Sequence, residues 1–114
     1  MRALVAASQH WLDAETVRQH LVELPISSTI VVSNRRGGDK IVAKIAEEEM
    51  ALRVEIVEVD DNSFRQKFTQ IISDEDIDSA YFFCLTTADS EHVLSRMSRA
   101  SRIPTSVIVK DFTR

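Results

Sequence analysis

The chain has 114 residues, with 14 basic and 18 acidic side chains, a formal net charge of −4 and a pI near 5.3. That balance argues against a protein that coats nucleic acid, although it leaves room for a local basic site. The chain has 2 glycines, the adjacent Gly37-Gly38, and 1 cysteine, Cys84. Neither a G-x-G-x-x-G fingerprint nor a Walker loop can therefore exist, nor can an intrachain disulfide or a Cys-rich zinc site.

Hydrophobic residues make up 44% and charged residues 28%, an ordinary globular composition. The length predicts one domain over 1–114. No apolar run approaches the ~18 residues of a membrane span. The apolar start, Met1 to Ala7, is cut short by Gln9 and His10, so a signal peptide is not expected. A cytoplasmic protein without membrane contact is the expectation.

In chain order, Ala3 to Ala7 is a short continuous apolar run suited to a buried parallel strand. Asp13 can cap a helix over 14–24, with Ala14, Val17, Leu21 and Leu24 on one face and Pro25 as its stop. The β-branched run Thr29-Ile30-Val31-Val32 predicts a second strand. A polar loop, Ser33 to Gly38, follows. Asp39 is then placed to cap a helix over 40–50 with Ile41, Val42, Ile45 and Ala46 inward. A third strand is expected over 54–59, towards a sheet edge because its glutamates break strict alternation.

After a turn at Asp60-Asp61-Asn62, a helix over 63–72 places Phe64, Phe68, Ile71 and Ile72 inward. Asp74-Glu75-Asp76 reads as an exposed connector. Ala80 to Leu85 is the strongest strand signal, with Cys84 as a core residue. Ser90 can cap a helix over 91–101 with Val93, Leu94, Met97 and Ala100 inward. Pro104 precedes a last strand, Ser106 to Val109.

This β-α alternation predicts an α/β fold, a Rossmann-like three-layer α/β/α sandwich with a five-stranded, mostly parallel sheet. Ligands of such sheets bind outside the carboxyl ends of the strands, where strand order reverses. The candidate loops are therefore Ser8 to Trp11, Ser33 to Asp39, Asp60 to Asn62 and Thr86 to Asp89.

Three of these loops carry suitable chemistry. Ser33-Asn34-Arg35-Arg36-Gly37-Gly38-Asp39 joins a strand to a helix and offers backbone N–H groups, two guanidinium groups and glycines that permit close approach. The blander reading is a solvated tight loop capped by Asp39. Ser8-Gln9-His10-Trp11 offers a hydroxyl, an amide, an imidazole and an indole for hydrogen bonding and stacking. The alternative is that Trp11 covers the core edge. Thr86-Thr87-Ala88-Asp89-Ser90 offers hydroxyls at a helix start or, more simply, a cap. Arg96, Arg99 and Arg102 form a stripe that reads as a nucleic-acid contact or as a solvated face near a helix C-terminus. Ser8, His10 and Asp89 do not make a convincing catalytic set, and no metal or cofactor is called for.

The ordered combination of these segments resembles the YspA-like branch of the SLOG superfamily, related to DNA-processing protein A and to the LOG lysine-decarboxylase-like proteins. The carrying residues are Ala7-Ser8-Gln9 followed by Trp11 and Asp13, then the Ser33 to Asp39 loop with Ala43 and Ala46, then Tyr81 to Leu85, Ser90 to Ala100 and Ile103-Pro104-Thr105. The resemblance covers nearly the whole chain. It implies binding of a nucleotide or nucleotide-derived molecule, with self-association common; with no catalytic set in the sequence, the first expectation is a non-enzymatic binding or sensing module. Ala7 and Gln9 replace a glycine and an arginine of the family pattern, Ser33 and Asn34 replace glycines, and the Pro-Gly-Gly-x-Gly-Thr motif of the LOG phosphoribohydrolases is absent after Thr86.

The resulting candidate ligand-binding set is Ser8, Gln9, Trp11, Ser33, Asn34, Arg35, Arg36, Gly37, Gly38, Asp39, Thr86 and Thr87. Arg35 and Arg36 are expected to pair with phosphate. Two alternatives stand beside this reading: a degenerate member acting as a protein-interaction regulator or inhibitor, and nucleic-acid binding.

Overall fold

A computed structural model describes residues 1–60, 62–74, 76–85 and 90–109. The strands are β1 (Arg2–Ala7), β2 (Thr29–Ser33), β3 (Arg53–Val57), β4 (Ser79–Cys84) and β5 (Thr105–Val109). They form one sheet in the order β3-β2-β1-β4-β5, and every neighbouring pair is parallel. The helices are α1 (Ala14–Leu21), α2 (Gly38–Lys44), α3 (Phe64–Asp74) and α4 (Ser90–Ala100). This is the Rossmann-like α/β/α arrangement that the alternation predicts.

The apolar run of β1 explains its central place. Ala3, Leu4, Val5, Ala6 and Ala7 are all buried. Strand side chains alternate between faces. Ala3, Val5 and Ala7 accordingly pack with Val17, Leu21, Val42, Ile45 and Ala46 of the α1 and α2 layer. Leu4 and Ala6 pack on the other face with Phe64, Phe68, Ile71 and Ile72 of α3 and Leu94 of α4. Burying one side chain of the Leu, Val or Phe kind contributes roughly 1.5–3 kcal/mol, so these two layers hold the sheet. β3 is an edge strand with Arg53, Glu55 and Ile56 exposed, as its broken alternation foretells.

Several boundaries depart from the sequence reading. α1 stops at Leu21 instead of running to Leu24. Its end is tightened by bonds from Glu23 N–H to His20 C=O and from Leu24 N–H to Leu21 C=O, which bring the chain into Pro25. α2 starts at Gly38 with Gly37 as its cap residue, so Asp39 is not the N-cap. The helix continues into a wider π-helical stretch, Ile45–Glu49, closed by Met50 N–H on Ile45 C=O. On α4, Ala100 is exposed while Ser95 and Ser98 are buried. Ser98 is accommodated inside because its Oγ lies 2.6 Å from Thr105 Oγ1 of β5.

Strand order reverses between β1 and β4. The carboxyl ends of β1, β2 and β3 bring the loops at Ser8, Ser33 and Val57 to one edge. The remaining candidate loop, with Thr86, Thr87 and Asp89, lies outside the described residues, as do Asp61, Glu75 and the tail from Lys110.

Candidate functional site

Two neighbouring structures share this edge: a buried latch and an open crevice. The latch is built on Asp39, whose side chain is fully buried. Its Oδ1 accepts a 2.7 Å bond from Ala7 N–H at the end of β1. Its Oδ2 accepts from Arg35 Nε at 2.9 Å and from the Ser33 hydroxyl. Arg35 Nη2 donates to Ala7 C=O at 3.1 Å, so the guanidinium and the carboxylate bracket one residue of β1. The Arg35 guanidinium carbon also sits 3.4 Å from the Phe64 ring centroid, a cation–π contact that joins the latch to the start of α3.

Burial pushes the Asp39 carboxyl up from its ordinary value, against the opposing pull of Arg35, Ser33 Oγ–H and Ala7 N–H. Both oxygens face hydrogen-bond donors, which is the arrangement an ionised carboxylate requires. The pair is therefore a buried, hydrogen-bonded ion pair, not a cap and not a ligand-facing carboxylate.

The glycine pair completes the latch. Gly37 has φ +86°, and a Cβ there would lie 1.9 Å from Gln9 C=O oxygen. A Cβ on Gly38 would lie 2.4 Å from Ser8 C=O oxygen and 2.6 Å from Ala7 Cβ. Gly38 N–H donates to Ser8 C=O at 3.1 Å. The glycines thus serve the close approach of two chain segments, and one amide at the α2 start is already satisfied by the protein itself.

Trp11 also belongs to the interior. Its ring is fully buried, with its centroid 5.4 Å from that of Phe83, and Nε1–H donates to Asp13 C=O at 2.9 Å. The turn closed by Trp11 N–H on Ser8 C=O folds the indole down onto the sheet. The expectation that Trp11 lines or stacks in a pocket is corrected accordingly. Ser33 is 1% exposed, and both its hydroxyl contacts are internal: it donates to Asp39 and accepts from Arg35 N–H. Ser8 is 6% exposed.

The crevice lies beside the latch. It has a volume of about 520 Å³ and is lined by Gln9, His10, Asn34, Arg35, Arg36, Gly37 and Val59. This is within the ordinary size range of small-molecule sites. Asn34 is held by two bonds to the β3 end: its N–H donates to Val57 C=O at 3.1 Å, and its Oδ1 accepts from Val59 N–H at 2.9 Å. With the carbonyl so engaged, the amide NH2 retains its donors. Gln9, His10 and Arg36 are exposed. Among the described residues, Arg36 has neither an ion pair nor a hydrogen-bond partner.

Of the candidate set, then, Gln9, Asn34, Arg35, Arg36 and Gly37 come together around the crevice. Ser8, Trp11, Ser33, Gly38 and Asp39 build its supporting wall. Thr86 and Thr87 lie outside the described residues. Two lining residues, His10 and Val59, were not in that set. His10 sits within a loop already marked, and Val59 directly precedes the marked turn at Asp60. Phe64 could not be found as the cover of Arg35 from sequence, because its spacing reports only an inward position. Arg96, Arg99 and Arg102 are exposed and do not line the crevice.

No helix among the described residues is long and apolar enough to cross a membrane. No family model, curated protein or solved structure matches the chain.

Proposed function

We propose that this chain is a small non-enzymatic binding or sensing module of the SLOG type, which holds a nucleotide or nucleotide-derived anion in the crevice at the strand carboxyl ends. One observation carries the reading. Arg36 presents an unengaged guanidinium at an open crevice whose other exposed groups, the amides of Gln9 and Asn34 and the imidazole of His10, suit a base edge or sugar hydroxyls. The resemblance to the SLOG superfamily supports the same class of ligand.

Calorimetric titration with AMP, a cyclic dinucleotide and ADP-ribose tests it. Saturable binding of at least one, lost in Arg36→Ala, is the expected result. No heat with any of them, or full binding by Arg36→Ala, overturns the reading.

A second reading, a regulator acting through protein contact or self-association, is favoured by the two sheet edges. Ile56 on β3 is 47% exposed and Val109 on β5 is 46% exposed. Uncovered edge strands are templates for pairing with another chain. Light scattering after size exclusion tests it: a stable dimer weakened by Ile56→Lys or Val109→Lys supports it, and a monomer at all concentrations removes the self-association form.

A further inference from the structure

We propose that Asp39 sets the anion capacity of the crevice: by neutralising Arg35 it leaves Arg36 as the single guanidinium for a ligand, so the site takes one phosphoryl group and not a di- or polyphosphate. This rests on the anion-binding reading above and specifies its ligand.

Sequence places two adjacent arginines in the loop, which would match two phosphoryl groups. Geometry separates them. Arg35 spends Nε on Asp39 and Nη2 on Ala7 C=O, and Phe64 covers one face of its guanidinium plane. Its side chain is 10% exposed and its partner's is fully buried. With Nε–H and one Nη2–H committed to the protein, a ligand oxygen would have to compete with Asp39 for the charge of this guanidinium. Its charge is also offset by a carboxylate 2.9 Å away.

Arg36 retains the planar fork that binds one phosphate or carboxylate bidentately. No acidic side chain appears among the described lining residues, and the remaining polar lining groups are neutral amides and one imidazole. One strong anion contact beside several neutral ones fits a ligand with one anionic group at one end and hydrogen-bonding edges at the other. Asp39 is a specificity-determining residue in this account, acting through Arg35 without touching the ligand.

AMP and ADP are the probes, compared by calorimetry on the wild-type protein, Arg36→Ala and Asp39→Asn. The expected result is that ADP binds less than tenfold tighter than AMP to the wild type, and that Arg36→Ala weakens AMP at least tenfold. Asp39→Asn, which frees the Arg35 charge while keeping the side-chain shape, should shift the ADP-to-AMP ratio at least threefold towards ADP.

Wild-type binding of ADP tenfold or more tighter than AMP overturns the proposal and leaves the anion-binding reading standing. AMP binding retained by Arg36→Ala overturns it as well. Binding of neither probe, while ADP-ribose or a cyclic dinucleotide binds, overturns the single-phosphoryl assignment only; binding of none removes the underlying reading. A folded Asp39→Asn variant with an unchanged ratio removes the role of Asp39. If that variant does not fold, Arg35→Met/Asp39→Leu takes its place: removing the neutralised pair should leave the ADP-to-AMP ratio within threefold of wild type, and a larger shift overturns the role of the pair.

Discussion

Arg35 and Arg36 are neighbours in sequence and opposites in circumstance. One is folded inward onto a buried carboxylate and an aromatic ring, and the other stands at the crevice with no partner among the described residues. The same division runs through the whole edge. In the latch of Ala7, Ser33, Arg35, Asp39 and the glycine pair, the carboxylate, the Ser33 hydroxyl and two guanidinium donors are spent on the protein itself. The crevice, which Arg35 and Gly37 also line, keeps the polar groups of Gln9, His10, Asn34 and Arg36 facing solvent. Charge in a loop is therefore not charge available to a ligand. A residue type that suits phosphate suits equally well the task of holding two strands and a helix start together.

The division can be broken most severely at Asp39. Removing one partner of a buried pair leaves the other charge uncompensated, at a cost of about 3–5 kcal/mol. Asp39→Ala should therefore lose a large part of the stability of a domain of this size, and urea unfolding will read it as a lowered midpoint. Arg35→Met/Asp39→Leu should cost less than Asp39→Ala alone, because it removes both charges and fills the space. A double variant worse than the single one would show that the latch is not acting as an ion pair.

Gly37→Ala ranks next. The residue needs positive φ, and its new Cβ would meet Gln9 C=O oxygen at 1.9 Å. Left-handed backbone costs an L-residue roughly 1–2 kcal/mol and overpacking roughly 1–3 kcal/mol, so a loss of about 2–5 kcal/mol is expected. The backbone must give way, and β1 would separate from the α2 start. A thermal midpoint unchanged from wild type would refute the close-approach role.

These residues also mark where sequence reading stopped. The sheet was legible because periodicity is a local property: the unbroken apolar run of β1 and the 3-4 spacing at Phe64, Phe68, Ile71 and Ile72 each report one buried face. The loops that line the crevice were among those a parallel sheet singles out, but the crevice sits over the ends of β1, β2 and β3 and not at the β1/β4 reversal. The division of labour inside those loops was not legible. Whether Arg35 meets phosphate or Asp39 depends on Ala7, 28 residues earlier, and on Phe64, 29 residues later. Asp39 reads locally as a cap because it precedes a helical pattern. The actual start lies earlier, at Gly37-Gly38, because only there can the chain press against Ser8 and Gln9. Trp11 is ambiguous for a similar reason: an indole after a strand fits stacking and core cover equally until the turn that carries it is known.

Arg36→Ala tests the other half of the comparison. Its expected effect on folding is small, within about 0.5 kcal/mol, because an exposed side chain without partners contributes little. Its effect on anion binding should be at least tenfold. Substantial destabilisation would mean that Arg36 belongs to the latch, and the contrast between the two arginines would collapse.

The smallest effect is expected at Asp60, the exposed counterpart of Asp39. Both carboxylates accept backbone N–H bonds. Asp60 Oδ1 takes them from Asn62 at 2.9 Å and Ser63 at 2.8 Å, while its own N–H donates to Ser63 Oγ at 3.0 Å, a reciprocal turn that leads into α3. The Asn62 and Ser63 amides, followed by the Ser63 hydroxyl, outweigh a smaller desolvation penalty and hold its carboxyl below the ordinary value. A depressed folded-state pKa means that the folded form binds fewer protons than the unfolded one. The stabilisation is present above the unfolded value, near 3.9, and is lost as pH falls through the folded value. Wild type should therefore lose stability more steeply than Asp60→Asn between about pH 4 and the acid limit, with the two converging in slope above about pH 5. Urea midpoints across that range provide the check. Parallel acid slopes would show that this turn gains nothing from the charge.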